Sequence, residues 1–285
     1  MFQEFGKPIM LLSLDNLALL RLFSAMGMIK SKTLFDILFE KFNLIVDHHR
    51  ETLDPDSPRD FLDCFLLQFY DDQSPELEAE SRLSIRNVLL DLFIGGIETT
   101  GTSLTWSVYF LAKHPEMQRK LQEELDAVVG NKSVRLADGD KLPYTKSTIS
   151  EIFRLSSVFP MAVFHATTTD STADFEGFKL PPQTLVSSHL MMILRNEREF
   201  PNPEAFMPER HLNSSGQFQP SSHLIPFGLG KRRCLGETFA RNIFFLFFAN
   251  LSQKFNFEAV HLGTEPEWGF THGTPKFSLK VTKRF

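Results

Sequence analysis

From Ser84 to Lys113 the chain carries no proline, and apolar side chains recur at helical spacing throughout. At 1.5 Å per residue a helix over that stretch spans roughly 45 Å, enough to cross a whole domain. A rod of that length needs other elements packed along its flanks, so it argues for a mostly α chain. It breaks helix rules in one place, Gly95-Gly96-Ile97-Glu98-Thr99-Thr100. Two interior glycines cost about 1 kcal/mol each against alanine, and β-branched threonines add a smaller penalty. Local rule-breaking in an otherwise strong element marks a functional site. Missing side chains let a flat ligand lie against the helix, and hydroxyl back-bonding can bend it. The competing reading is a packing groove filled by a neighbouring phenylalanine. Asp91, Gly95 and Thr99 stand at i, i+4 and i+8, on one face.

Elsewhere, residues 10–51 read as two helices separated near Gly27 to Ser31, and 59–70 as a short amphipathic helix. Residues 71–80 are polar, contain Pro75 and read as a surface connection. His114-Pro115 opens a charged amphipathic helix that Gly130 stops, and Lys146 to Ser156 is a further short helix. The pattern changes over 162–190, rich in Val, Thr and Phe with Gly and Pro punctuation, which predicts strands and hairpins. Residues 196–232 form a long Pro/Asn/Ser-rich loop, a length usually functional inside a compact domain. A last helix follows Cys234, and 275–283 alternates like a terminal strand.

The 285 residues can bury a large core, and 42% hydrophobic with 23% charged residues is a globular composition. Thirty phenylalanines against three tyrosines point to deep apolar packing. A net charge of −5 gives no global case for a nucleic-acid partner. The two cysteines, Cys64 and Cys234, cannot form a disulfide framework, and no Cys/His spacing suggests zinc. Cys64 reads as a packed helix position. No signal peptide or transmembrane span is legible.

Residues 227–236 read Phe-Gly-Leu-Gly-Lys-Arg-Arg-Cys-Leu-Gly, a glycine-rich loop that ends on a cysteine behind three cations. Thiolate is the reactive and metal-binding form of cysteine, and both a helix N-terminus and neighbouring Lys/Arg favour it. A soft anionic sulfur in such a loop is what a heme iron with a thiolate axial ligand requires. The cations would then meet the anionic propionates. A phosphate loop needs Ser or Thr where Arg232 stands, and a dinucleotide turn needs glycine where Arg233 stands. An inert buried thiol in a basic turn stays open at this point. So does a basic-loop anion-binding module with an incidental cysteine. Glu151 and Arg154, at i and i+3 on a helix, read alone as a solvated pair. Pro208-Glu209-Arg210 in the long loop offers a second arginine to complete a buried network.

In this order and spacing the four pieces resemble the cytochrome P-450 superfamily. Phe227, Gly230, Arg232, Cys234 and Gly236 occupy every fixed position of its Phe-x-x-Gly-x-Arg-x-Cys-x-Gly loop. Gly95 to Thr100 matches its oxygen-activation helix, Glu151/Arg154 its Glu-x-x-Arg helix, and Pro208 to Arg210 its Pro-Glu-Arg, with the long loop as its meander. Pro143-Tyr144-Thr145 and Val163-Phe164-His165 look like the animal microsomal class, family two especially.

The resemblance implies a mainly α fold with a minor β part, the C-terminal portion of the cytochrome P-450 fold, as a single domain over 1–285. It implies heme b, with Cys234 as axial thiolate and metal ligand, Arg232 and His165 on the propionates, and Phe227 shielding the sulfur. Gly230, Gly236, Gly95 and Gly96 would give the macrocycle room. Thr99 with Glu98 would deliver protons, while Glu151, Arg154 and Arg210 would hold the fold behind the heme. Ala162, Val163, Phe164 and Asp91 would contact substrate. The activity implied is insertion of one oxygen atom of dioxygen into an apolar xenobiotic, fatty acid or steroid. Electrons would come from an NADPH-linked reductase or cytochrome b5, an acidic partner suited to Lys231 and Arg233. The implied location is the cytosolic face of the endoplasmic reticulum membrane.

The chain departs from the pattern in places. The family's anchor, early helices and most of its main sheet have no counterpart in the reading. Its Trp-x-x-x-Arg motif is not met, since Trp106 is followed by Phe110 and Trp268 by His272. His211 stands where the family has phenylalanine, and Gln183 where a turn glycine is common. The alternative expectation is therefore a truncated, non-catalytic fragment that carries the signature without binding heme stably.

Overall fold

Proline opens three of the major helices. In a computed structural model describing residues 34–69, 75–168, 172–269 and 271–285, α1 (Leu34–Glu51) and α2 (Phe61–Phe69) precede α3 (Pro75–Lys113). Then come α4 (Pro115–Val128) and α5 (Pro143–Ser156). Proline fits the first helical position because its missing N–H would have no partner there and its φ is already helical. This corrects two expectations. The connection expected over 71–80 is helical from Pro75, and the helix expected from Lys146 starts at Pro143. The helical pattern expected before Leu34 lies outside the described residues.

Helix α3 runs 39 residues straight through the glycine pair. Ser103 Oγ donates to the Thr99 carbonyl at 2.7 Å and Thr105 Oγ1 to that of Gly101 at 3.0 Å, the back-bonding expected of hydroxyls in a helix.

The described residues form two compact units, 34–97 and Glu98–Phe285. In the first, Val46, Leu62, Leu66 and Ile85 make a small core. Cys64 is exposed on α2, against expectation, because the core-facing positions there are Leu62, Asp63 and Leu66. Asp63 can be buried because Arg59 pairs with it through Nε at 2.6 Å and Nη2 at 2.8 Å.

The core of the second unit is built from one face each of α3, α4 and α7 (Glu237–Lys254) around α5, which is buried on every side from Ser147 to Ser156. Phenylalanine dominates it: Phe110 stacks on Phe206 at 4.9 Å and on Trp106 at 5.1 Å, and Phe153 meets Phe244 at 4.7 Å. The described strands pair in antiparallel twos. β1 (His165–Ala166) pairs with β4 (Leu185–Val186), and β2 (Ala173–Phe175) with β3 (Phe178–Leu180). β5 (Phe255–Leu262) pairs with β8 (Phe277–Lys283), and β6 (Glu267–Trp268) with β7 (His272–Gly273). A short helix, α6 (Leu190–Leu194), follows β4.

Two buried glutamines tie this sheet to the helices. Gln118 of α4 both accepts from the Phe257 amide at 2.8 Å and donates to the Phe257 carbonyl at 3.0 Å. Gln122, one turn on, donates to the carbonyls of Ser252 and Phe255. Glu124, also on α4, caps α5 from outside. Its carboxylate accepts from the amides of Tyr144 (2.7 Å) and Thr145 (2.8 Å) and from the Thr145 hydroxyl (2.7 Å). The long loop before α7 contains short 3₁₀ turns at Pro208–His211 and Gly230–Arg232. Among the described residues no helix is long and apolar enough to cross a membrane.

Candidate heme site

The loop 227–236 turns on two glycines. Gly228 and Gly230 have φ of +77° and +76°, a left-handed backbone that glycine adopts without a Cβ clash. The Cys234 amide closes the loop by donating to the Phe227 carbonyl at 2.9 Å. The Phe227 ring turns inward, edge-on to Phe153 at 5.4 Å, and the Arg241 guanidinium covers it at 4.7 Å. Cys234 itself is a free, exposed cysteine just before the N-terminus of α7.

Around that thiol the surface is of two kinds. Leu229, Leu235 and Phe239 are 70%, 91% and 69% exposed, an apolar patch on the segment that carries the thiol. Lys231, Arg232 and Arg233 are all exposed, and none has an acidic partner among the described residues. An open depression of about 500 Å³ adjoins the loop, lined in part by Pro226, Gly228, Arg233 and Arg241.

The residues expected at the substrate, Ala162, Val163 and Phe164, and the expected propionate contact His165 lie on the same unit. Val163, Phe164 and His165 are exposed and Ala162 half-buried. The segment is held by the Ala162 amide on the Ser188 carbonyl (2.8 Å) and by pairing of His165 with Val186. On α3 Gly95 and Gly96 are exposed, and a Cβ added at either would meet no atom of the described residues within 4 Å. Asp91 is exposed. Glu98 and Thr99 are half-buried, and Glu98 accepts from Thr271 Oγ1 at 3.1 Å.

Behind the loop the expected charge network is present, with Glu151 and Arg154 fully buried and Arg210 half-buried at its edge. Arg154 grips Glu151 with Nε and Nη2, both at 2.8 Å, and Arg210 Nε adds a third bond at 2.9 Å. The Met207 amide adds a fourth at 3.0 Å. Burial pushes the Glu151 carboxyl up, but the bonds from Arg154 and His211 outweigh it and hold the group at about 2. The arginines also serve the backbone: Arg154 donates to the Leu194 carbonyl, and Arg210 to those of Pro201 and Asn202. These bonds fix the long loop to α5.

Sequence reasoning missed one member of this hub. His211 is buried, and its Nε2 lies 2.9 Å from Glu151 Oε2. A carboxylate only accepts, so Nε2 carries a proton, while Nδ1 is buried without a partner. The departure from phenylalanine at that position was the available signal. Sequence reasoning also gave no role to Thr271. The cluster of His49, Asp60 and Asp63 has metal-like spacing, but Arg59 already neutralises Asp63.

A helical bundle with small antiparallel sheets, an exposed cysteine before the last long helix and a buried Glu/Arg hub define a heme-thiolate protein of the P-450 type. Residues 2–281 match the family model of cytochrome P-450, and the chain belongs to that family. It is 38% identical to cytochrome P-450 2J5 of Mus musculus over 225 residues, 76% of this chain and 44% of the relative. It is 40% identical to cytochrome P-450 2C8 of Homo sapiens over 219 residues, 75% of this chain and 44% of the relative. With cytochrome P-450 2L1 of Panulirus argus the identity is 36% over 228 residues, 78% and 46% of the two chains. The chain thus spans less than half the length of these relatives, all of which carry family-two names.

The cofactor of the family is heme, its iron carrying an axial thiolate. The donor set here fits that group. It offers one accessible soft sulfur, an apolar patch for a macrocycle and cations without acidic partners among the described residues.

Proposed function

We propose that this chain is the iron-holding part of a heme-dependent monooxygenase that inserts one oxygen atom of dioxygen into an apolar organic substrate. The observation that carries this reading is Cys234: a free, exposed thiol on a glycine-turned loop whose neighbours in the chain, Leu229, Leu235 and Phe239, are exposed apolar side chains. Cys234 holds the iron, Arg232 and His165 take the propionates, and the backbone of Gly230 and Gly236 keeps the loop close. The Phe227 carbonyl fixes the Cys234 backbone, and its ring anchors the loop to the core. Bound heme with a thiolate ligand supplies the electron push that favours O–O cleavage.

The missing side chains at Gly95 and Gly96 leave room for a flat group beside α3. Glu98 and Thr99 hold and pass a proton, at the carboxylate and the hydroxyl respectively. Ala162, Val163, Phe164 and Asp91 contact the substrate, a xenobiotic, fatty acid or steroid. Glu151, Arg154 and Arg210 act at one remove, by fixing the long loop that leads to Cys234. Lys231 and Arg233 present positive charge to an acidic NADPH-linked reductase or cytochrome b5. The site operates as a single domain at the cytosolic face of the endoplasmic reticulum membrane.

The test is one spectrum. The chain expressed with heme available, reduced and exposed to carbon monoxide is expected to show the red-shifted Soret band of thiolate-ligated iron, and Cys234→Ser is expected to lose it. Absence of heme uptake overturns the reading for this polypeptide and favours the alternative, a non-catalytic chain that carries the signature alone.

A further inference from the structure

Two consecutive residues tie the hairpin β6–β7 to the rest of its unit. The His272 amide donates to the Val158 carbonyl at 2.8 Å, and its ring Nδ1 to the Ser156 carbonyl at 2.5 Å. Its own carbonyl accepts from Trp106 Nε1 of α3 at 2.8 Å. The ring lies between Trp106, centroid 5.2 Å away, and Trp268, at 4.5 Å. Burial pushes this imidazole's pKa down, the Ser156 carbonyl pushes it back, and Arg195 lowers it further, for a net lowering. The lock therefore works through a neutral ring and hydrogen bonds.

What the lock delivers is Thr271. That side chain is 6% exposed, and its hydroxyl donates to Glu98 Oε1 at 3.1 Å across 173 residues of sequence. A threonine has one hydroxyl proton to give, so this bond uses it. Glu98 has no other hydrogen bond or ion pair among the described residues. One carboxylate oxygen is thus held from the hairpin side, and Oε2 is left for a proton partner. The two aromatic residues that fail the Trp-x-x-x-Arg pattern, Trp106 and Trp268, are the walls that seat His272 and so aim Thr271.

We propose that Thr271 is the positioning residue of Glu98, carried by the Trp106–His272–Trp268 lock. The proposal rests on the reading that Glu98 and Thr99 form the proton path. Buried networks of this kind are effective because each member restricts the next.

The test uses the full 285-residue chain with Thr271→Val, Thr271→Ser and Glu98→Gln. With 13C-labelled glutamate carboxyls, the infrared band lost in Glu98→Gln is that of the Glu98 carboxylate. Thr271→Val is expected to shift that band, by removing its donor, and Thr271→Ser to return it. A band unmoved by Thr271→Val, or a shift that Thr271→Ser does not reverse, overturns the proposal whether or not heme is bound. In the heme-loaded chain with reductase, Thr271→Val is expected to raise hydrogen peroxide released per NADPH consumed by about tenfold, the size of one lost charge-assisted bond. Thr271→Ser should revert it, with the carbon monoxide spectrum unchanged throughout. An equal peroxide share in all chains overturns the positioning role. A chain that takes up no heme overturns the proposed function instead, and the Thr271 contact is then decided by the infrared band alone.

Discussion

Glu151 accepts from five donors, two on Arg154 and one each on Arg210, Met207 and His211, and none of the five is dispensable to the same degree. Glu151→Gln leaves two buried guanidiniums short of their counter-charge, and the expected loss is about 3–5 kcal/mol in urea unfolding. His211→Phe removes one donor but also a buried ring nitrogen that has no partner, so stability is expected to stay within about 1 kcal/mol of the parent. The contrast between the two variants tests whether charge or packing governs the hub. Acid should act on the same group. With the Glu151 carboxyl held at about 2 in the fold against an ordinary value of 4.5, its contribution is complete above 4.5. It is lost as the pH falls through that window toward 2. A Glu151→Gln chain is expected to lose that segment of the pH–stability curve, which unfolding midpoints between pH 5 and 2 would show.

At the scale of elements, α5 depends on a carboxylate from another helix. Glu124→Ala removes the acceptor for the Tyr144 and Thr145 amides and is expected to cost about 1–2 kcal/mol, read as a fall in Tm. On α3 the sign reverses. Gly96→Ala meets no atom of the described residues and gains helix propensity, so it should raise stability by about 1 kcal/mol, and a macrocycle lying on this face should make it lower heme uptake. Much of this architecture was legible. Periodicity revealed α3, α4 and α5, and spacing alone paired Glu151 with Arg154. The misses have physical reasons. Pro75 was read as part of a connection and the helix after Gly130 was begun only at Lys146, where Pro75 and Pro143 are first turns. Strand β5 went unseen because Lys254 passes into Phe255 with no glycine or proline between helix and strand. Glu98 was singled out, but its partner Thr271 lies 173 residues away, and no local pattern encodes a contact of that range.

At the scale of the molecule, the unit Glu98–Phe285 carries both a buried and an exposed set of apolar side chains. Phe110, Phe153, Phe206, Phe244 and Phe248 pack in the interior, while Leu229, Leu235, Phe239, Val163 and Phe164 are among those that face outward. Without heme the chain is expected to bind an apolar dye such as anilinonaphthalenesulfonate, and loading with heme should lower that fluorescence and raise Tm together. Dye binding unchanged by heme would mean that the macrocycle does not cover the patch.

The clamp of Gln118 on Phe257 has a consequence for how such a chain survives in a crowded cell. A two-stranded sheet has two open margins, and each bare N–H and C=O invites a strand from another molecule. The Gln118 amide answers both groups of Phe257 as a third strand would, with one donor and one acceptor. Gln122 takes the Phe255 carbonyl on the same margin. The inner margin of β5 is thereby closed to recruitment, by side chains in place of backbone.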